Sequence, residues 1–459
     1  MSKFRIISKS GDGLAIGKVL EDEGYNVDAY ICESKDPEDN DGGSYKDLYD
    51  GLLDKVDNPV AGLEKDDIVL MDMTGIKMHT SQSEWDKIGK LEDSNHSKFI
   101  ELPTVGDYLR GKGIPTIGGG LVNDYLELDR EFGQDIAKEA GFQTPEEKTF
   151  SDYAEALKFV QSSETRWVLK PCGGESYQVY PSKGPDDMSI YLQTLIDKKV
   201  KTDKVLLQEF IDGGVQMGIE LTWTGTKAVG FNSTFEHKRL SSGSTGPLTG
   251  ETGSIIFYYP DDDSKLVRIV KKLEPVLKKI GYPMGVLDCN FIITEKGVYF
   301  LEFTPRQGYP STYIQLSACE GTWGPTFEDQ IAGKFTGYVT SGAKYYGGIN
   351  CFIPEYPYGK TKKDYVESPT FFCRIGEEEL KGMQLIDVKS NMDGDLVSGG
   401  TYGNLFCMTG CGETPKGINA DVVQRIKNVE VYPMGYRNDI GLDLDDDIDN
   451  LRRWGYWTP

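Results

Sequence analysis

Apolar residues occur in short runs separated by glycine-rich turns and amphipathic stretches. Phe4-Arg5-Ile6-Ile7, then Ser10-Gly11-Asp12-Gly13-Leu14-Ala15-Ile16-Gly17 and an amphipathic stretch to Gly24, predict a strand, a glycine turn and a helix. Extended patterns recur at Val27 to Ile31, at Asp67 to Met71 and at Ile114 to Ile117, the last followed by Gly118-Gly119-Gly120. Residues 1–120 are therefore expected to form an open α/β unit.

A helical pattern runs from Asn123 to Ala140 and is stopped by Gly141-Phe142-Gln143-Thr144-Pro145. Trp167 to Lys170 and Val205 to Phe210 read as strands on either side of a helix from Met188 to Asp197. A long helix from Ser264 to Ile280 precedes Gly285 to Ile293 and Val298 to Phe303, which alternate as a β-hairpin around Glu295-Lys296-Gly297. From about Gly347 the pattern is strand-rich, and the acidic run Asp443 to Asp449 is expected as a solvated loop. The organisation predicted is a multidomain chain of α/β and α+β parts, divided 1–120, 121–204, 205–346 and 347–459.

At 459 residues the chain exceeds one ordinary core, and 38% hydrophobic residues suffice to bury several. A formal charge of −23 argues against a large nucleic-acid footprint, so an anionic ligand requires a locally basic cleft. The eight cysteines are scattered, and Cys407 to Cys411 lacks metal-finger spacing, so all are read as reduced and mostly buried. Neither a signal-length apolar run at the start nor 18 uninterrupted apolar residues anywhere is present, which predicts a cytoplasmic protein without membrane attachment.

The hairpin is the most informative feature. Asp288 and Asn290 share a face of one strand, and Glu302 and Thr304 share a face of the next. Oxygen ligands converge there for Mg²⁺, which takes one or two protein oxygens and leaves its other positions to water and phosphates. Glu302 is the best bridging ligand, with Asn290 or Asp288 as the second contact, and Arg306 supplies a fixed cation beside them.

Lys170 ends an apolar strand and leads into Pro171-Cys172-Gly173-Gly174-Glu175-Ser176, a loop able to bring backbone N–H groups near phosphates. Gln208, Glu209 and Phe210 lie where a strand becomes a turn, a place for an adenine edge and ring. Glu236-His237-Lys238-Arg239 and the loop Thr245 to Gly253, with Gly246, Thr249 and Gly250, place three potential cations beside a glycine-rich segment suited to anions.

At these residues the chain resembles the ATP-grasp superfamily, and within it the phosphoribosylamine-glycine ligases. Glu236 to Arg239 with Gly246 to Gly253 is similar to the family's DHKR and GPNTGGMG segments, and Leu301 to Pro310 to its EFN-x-RFGDP segment. Leu126 to Phe132 resembles LEGSK-x-F, with Arg130 at an ATP-phosphate lysine position. Val397 to Gly400 and Arg437 to Gly441 resemble TNGG and R-x-DIG.

The resemblance implies an ATP-dependent ligase that activates a carboxylate as an acyl phosphate and joins it to an amine. It implies ATP-phosphate contacts from Lys170 and Arg130, adenine contacts from Glu209 with its neighbours Gln208 and Phe210, and Mg²⁺ (or Mn²⁺) at Glu302 and Asn290, with Asp288 beside them. Arg306, Lys238 and Arg239 would act on the reacting groups, and Glu236, His237, Gly246, Thr249 and Gly250 on the substrates.

Several positions depart from the family. The GGREH loop is Ser10-Gly11-Asp12-Gly13-Leu14, with Asp12 in place of an arginine and Leu14 in place of a histidine. Thr304 replaces the metal-site asparagine, Tyr309 and Ser311 replace an aspartate and a glutamate, and the glycine-loop lysine falls near Tyr177 or Gln178. These changes favour an altered amine or carboxylate over the family pair, and they also raise a protein that binds nucleotide without turnover.

Overall fold

The computed structural model describes residues 2–32, 45–75, 104–171, 179–202, 204–259, 263–319, 321–354, 356–357, 381–401 and 403–457. The acidic segment 36–43, the loop 172–176 after Lys170 and the positions 177 and 178 lie outside the described residues.

The first unit is a parallel sheet in the order β2-β1-β3-β4, built from β1 (Lys3–Ser8), β2 (Asn26–Ile31), β3 (Ile68–Met71) and β4 (Thr116–Ile117). Helix α1 (Leu14–Asp22) connects β1 to β2, and α2 (Val105–Gly111) precedes β4. Parallel strands covered on both faces must be apolar throughout, which accounts for Phe4, Ile6, Ile7, Val69 and Leu70. The exception, Arg5, is 1% exposed and meets both Asp28 carboxylate oxygens at 2.6 and 2.7 Å. The carboxyl ends of β1, β3 and β4 open onto Ser8 to Gly13, Asp72 to Gly75 and Gly118 to Gly120.

The helix expected from Asn123 to Ala140 is two helices, α3 (Leu121–Leu128) and α4 (Arg130–Glu139). Asp129 breaks it, with an extended backbone and a side chain that accepts from the Phe132 N–H at 3.1 Å. A second, antiparallel sheet follows in the order β5-β8-β6-β7, from β5 (Glu147–Phe150), β6 (Trp167–Pro171), β7 (Tyr180–Pro181) and β8 (Val205–Glu209). With α5 (Tyr153–Gln161) and α6 (Pro185–Asp197) it encloses its own core around Val160, Trp167, Leu192 and Leu207. Strand β8, placed by the sequence at the start of the third segment, is thus hydrogen-bonded within the second.

Among the described residues the largest sheet has nine strands. Its order is β15-β14-β9-β10-β13-β16-β20-β17, with β21 (Gly435–Tyr436) on β16. The strands are β9 (Val215–Trp223), β10 (Ala228–Glu236), β13 (Gly253–Tyr258), β14 (Gly285–Thr294), β15 (Gly297–Thr304), β16 (Tyr345–Phe352), β17 (Met383–Leu385) and β20 (Asn404–Gly412). Two small hairpins stand off it, β11 (Arg239–Ser241) with β12 (Thr245–Leu248), and β18 (Val388–Ser390) with β19 (Leu396–Ser398). The sheet continues across residue 346, because β16, β17 and β20 extend the ladder begun by β9.

Alternation divides the two faces of this sheet. Met217, Ile219, Phe231, Phe235, Leu287 and Phe291 build the core on one side. Asp288, Asn290, Glu220, Asn232 and Glu236 line the other, toward α9 (Ser311–Ala318), whose Gln315 donates to Glu220 at 2.7 Å.

The helix expected over Ser264 to Ile280 is α7 (Lys265–Val270), a 3₁₀ turn (Lys271–Leu273) and α8 (Glu274–Ile280). Pro275 lacks the N–H that a continuous helix needs and starts α8 instead. After α10 (Trp323–Ile331) and α11 (Pro415–Ile426), the acidic run expected as a loop is helical, forming most of α12 (Leu444–Arg453). Leu444, Ile448 and Leu451 are buried at four- and three-residue spacing, and Asp445, Asp446 and Asp447 occupy the first turn, where the helix dipole favours carboxylates. Among the described residues no helix is long and apolar enough to cross a membrane. The six described cysteines are unpaired, and all but Cys411 are buried.

Candidate active site

Hairpin β14–β15 sets the centre. Asn290 pairs with Glu302 and Asp288 with Thr304, but beyond Asn290 the register shifts so that Phe291 pairs with Phe300. The extra residue, Leu301, is a β-bulge. It lets Phe300 and Phe303, three apart, both turn into the core with ring centroids 4.4 Å apart, and it leaves Glu302 on the polar face. The Leu301 carbonyl is held by the Gln134 side-chain amide at 2.9 Å, fixing the bulge to α4.

Three cations from three elements surround Glu302. Arg130, the first residue of α4, reaches one carboxylate oxygen at 3.4 Å, and Lys238, after β10, lies 3.9 Å from the other. Burial alone would raise the Glu302 carboxyl, but Lys238, Lys170 and Arg130 outweigh it and bring it down to about 2. Glu302 is ionised throughout the physiological range. Arg130, Glu302, Glu127, Gln134 and Glu147 line a recess between α3, α4 and β15.

Lys170 is 7% exposed, and burial, reinforced by Arg130, lowers its ammonium to about 8. Lys238 shifts the other way: burial opposes its charge, but Glu236, 2.9 Å away, and Glu302 hold it on. A prediction follows for Lys170. If it contacts nucleotide phosphate, only its protonated form does so, and affinity for ATP should fall several-fold as pH rises through about 8. In Lys170→Arg the dependence should flatten, because guanidinium stays charged; titrations with a fluorescent ATP analogue between neutral and alkaline pH would read both.

The donors opposite Glu302 suit a hard divalent cation. The Asn290 side-chain oxygen and Asp288 Oδ1 are buried without hydrogen-bond partners, while the Asn290 amide donates to Asp288 Oδ2 at 2.9 Å. Burial, then Glu236 and Glu220, push the Asp288 carboxyl well above the usual range, an imbalance that a bound cation would relieve. A side chain at Gly218 would fall 2.8 Å from Asp288 Oδ1, so only glycine leaves this carboxylate its place. No group of three or more His, Cys, Asp or Glu is disposed to hold a metal among the described residues. One or two protein oxygens suffice for Mg²⁺.

Other predicted residues are placed differently. Arg306 gives two N–H groups to Glu127 Oε1, at 3.1 and 2.8 Å, and a third to the Gln307 carbonyl. Gln208, 2% exposed, donates to Glu147 at 2.7 Å. The Glu209 and Phe210 N–H groups bond to the Glu146 and Arg166 carbonyls, and the Arg166 guanidinium lies 3.4 Å above the Phe210 ring. His237 Nε2 accepts from the Gly441 N–H at 3.3 Å, and its Nδ1 is buried without a partner.

Arg239 does not turn to the cluster but donates to the Gly246 carbonyl at 2.8 Å. Thr249 gives its hydroxyl and its N–H to the Lys238 carbonyl at 3.0 and 2.8 Å, and nothing crowds Gly250 within 4 Å. The sequence reading passed over Glu127, which anchors Arg306, and Glu147, which anchors Gln208. Glu127 stood inside the Leu126 to Phe132 segment already singled out; Glu147 gave no signal.

Comparison with known proteins bears on this arrangement. A model of the phosphoribosylglycinamide synthetase ATP-grasp (A) domain matches residues 128–312, which hold Arg130, Lys170, Lys238 and the hairpin. The fold resembles the crystal structure of phosphoribosylamine–glycine ligase from Thermotoga maritima, with a TM-score of 0.66 at 18% identity over 95% of this chain and all of that one. The chain has the ATP-grasp fold. Its curated relatives include the phosphoribosylamine–glycine ligases of Streptococcus pneumoniae, 23% identical over 76% of this chain and 87% of that one. The Lactococcus lactis enzyme is 25% identical over 83% and 91%. Within the ATP-grasp frame, the small sheet supplies Lys170, the large sheet supplies Glu302 and Asn290, and the bulge at Leu301 brings Glu302 opposite Asn290.

Proposed function

We propose that this chain is an ADP-forming carboxylate–amine ligase that uses ATP with Mg²⁺, or Mn²⁺ in its place. One observation carries the reading: Glu302 is kept ionised among Arg130, Lys170 and Lys238, directly across the hairpin from an unpartnered Asn290 oxygen. This is a site for a polyphosphate and its counter-cation together, and the relatives named above are ligases.

Glu302 and Asn290 would hold the divalent cation, with Asp288 beside them, and the bound cation would neutralise charge on the phosphates. Lys170 and Arg130 take the phosphate oxygens, and β8 with Phe210 borders the adenine. A substrate carboxylate oxygen attacks the terminal phosphorus, the bond to ADP breaks, and an acyl phosphate forms. The amine nitrogen then attacks the acyl carbon, phosphate leaves, and the nitrogen gives up a proton. Lys238, charged and fixed by Glu236, stabilises negative charge on the reacting oxygens; Arg306, tied to Glu127, shapes the wall beside them.

Phosphoribosylamine and glycine are the first pair to test, since the relatives are named for them. ADP release with Mg-ATP over a panel of amino acids and amines, that pair included, should show substrate-dependent turnover. ADP release with no pair, in a protein that still binds nucleotide, would sink the ligase reading and leave a nucleotide-binding protein.

A further inference from the structure

In an open α/β sheet, ligands enter outside the carboxyl ends of the strands where the strand order reverses, here between β1 and β3. A glycine turn leading into a helix at that point ordinarily offers its N–H groups to an anion. In this chain the cradle is already filled from within. Asp72, the residue after β3 and 1% exposed, accepts from the Ser8 hydroxyl at 2.5 Å and the Gly13 N–H at 2.7 Å through one oxygen. The Lys9 N–H approaches its other oxygen at 3.3 Å, and the Gly11 N–H is spent on the Ser8 hydroxyl at 2.8 Å. Contact is so close that a side chain at Gly13 would come within 2.5 Å of the Asp72 Cβ.

The surroundings add negative charge. Asp12, between Gly11 and Gly13, accepts from Ser10 at 2.5 Å, and its carbonyl accepts from the Tyr313 hydroxyl at 3.2 Å. Tyr309 stacks obliquely on Tyr313, ring centroids 5.0 Å apart, and its hydroxyl oxygen is buried without a partner. Asp72 also lines a small cavity with Met71, Gly118, Arg306 and Gln307. The cation on that wall, Arg306, is committed to Glu127.

We propose that Asp72 and Asp12 are specificity-determining residues that close the crevice between β1 and β3 to phosphate and reserve it for an unphosphorylated amine. The inference rests on the ligase reading above and narrows its amine. A phosphate here would meet two carboxyl groups, the Lys9, Gly11 and Gly13 N–H groups already bonded within the turn or to Asp72, and a guanidinium, Arg306, committed to Glu127. A neutral or cationic amine would meet acceptors: the Asp12 carboxylate and the Tyr309 oxygen.

Ribose 5-phosphate and inorganic phosphate, titrated into the full chain with a Mg-bound non-hydrolysable ATP analogue present, are the probes. Neither should bind saturably up to about 10 mM, and Asp12→Arg or Asp72→Ser should each gain at least about tenfold in affinity for ribose 5-phosphate. Binding to the unaltered chain with Kd below about 1 mM, or no gain in either variant, would overturn the proposal. Retained binding of the ATP analogue establishes that a variant is folded, and two variants guard against the loss of one. ADP release with phosphoribosylamine would likewise overturn it, whereas failure to bind the ATP analogue at all would count against the ligase reading and leave the phosphate result standing.

Discussion

Replacing Glu302 by alanine should lower turnover by about a thousandfold, the scale on which a centrally placed electrostatic group acts. The side chain does two things that the substitution removes together. It is the one carboxylate at the hairpin held low by its neighbours, and it separates three cations that would otherwise repel one another. The expected signature is therefore divergent. Nucleotide affinity without metal should be unchanged or tighter, because Arg130, Lys170 and Lys238 then lack their carboxylate, while the gain in affinity on adding Mg²⁺ should largely vanish. Since Glu302 also supports the Lys170 charge, the pH at which nucleotide affinity declines should move below about 8. Glu302→Gln keeps the shape and loses the charge, and it should behave like the alanine variant. Turnover above about a tenth of the unaltered rate in either would remove Glu302 from the metal site.

The part of this site that sequence made visible is the part built by local periodicity. The hairpin could be read from alternation and a glycine turn, and so could the shared faces of Asp288 with Asn290 and of Glu302 with Thr304; the pairing of Asn290 with Glu302 needs the register shift between Asn290 and Phe291. The bulge at Leu301 could not: nothing nearby announces that Phe300 and Phe303 will share a face. Arg306 carries the same limit. Its place after β15 suggested a free guanidinium, but its partner, Glu127, is 179 residues away and appears only once α3 packs beside the hairpin. Asp443 to Asp449 misled for a different reason. A run of carboxylates looks solvated on charge alone, and the apolar stripe of Leu444, Ile448 and Leu451 that makes α12 begins at the edge of the run and ends beyond it. The N-terminal turn was readable as a departure at Asp12, whereas the residue that fills it, Asp72, arrives from another strand.

Arg437→Ala should cost about 2–4 kcal/mol of stability, less than loss of a fully enclosed ion pair because Asp439 keeps some contact with water. Arg437 itself is 1% exposed and grips both Asp439 oxygens, at 2.8 and 2.9 Å, while donating to the Arg239 carbonyl at 3.1 Å. Asp439 in turn takes the Gly243 N–H at 2.7 Å, Asn438 accepts from Ser242, and the Gly441 N–H reaches His237. The segment from Arg437 to Gly441 thus braces both ends of the β11–β12 hairpin against the strand that delivers Lys238. Loss of the brace should lower kcat by about tenfold through mispositioning, with nucleotide affinity little changed. Arg437→Lys retains charge without the planar fork and should fall between. Burial would raise the Asp439 carboxyl, but Arg437 and the Gly243 N–H hold it below its ordinary value. Its contribution is therefore complete at neutral pH and lost as pH falls through the folded-state value, so denaturation of the unaltered chain should be steeper on the acid side than that of Arg437→Ala. Equal acid sensitivity of the two, measured by urea unfolding at several pH values, would mean that the pair does not hold the hairpin and that the brace rests on its backbone bonds alone.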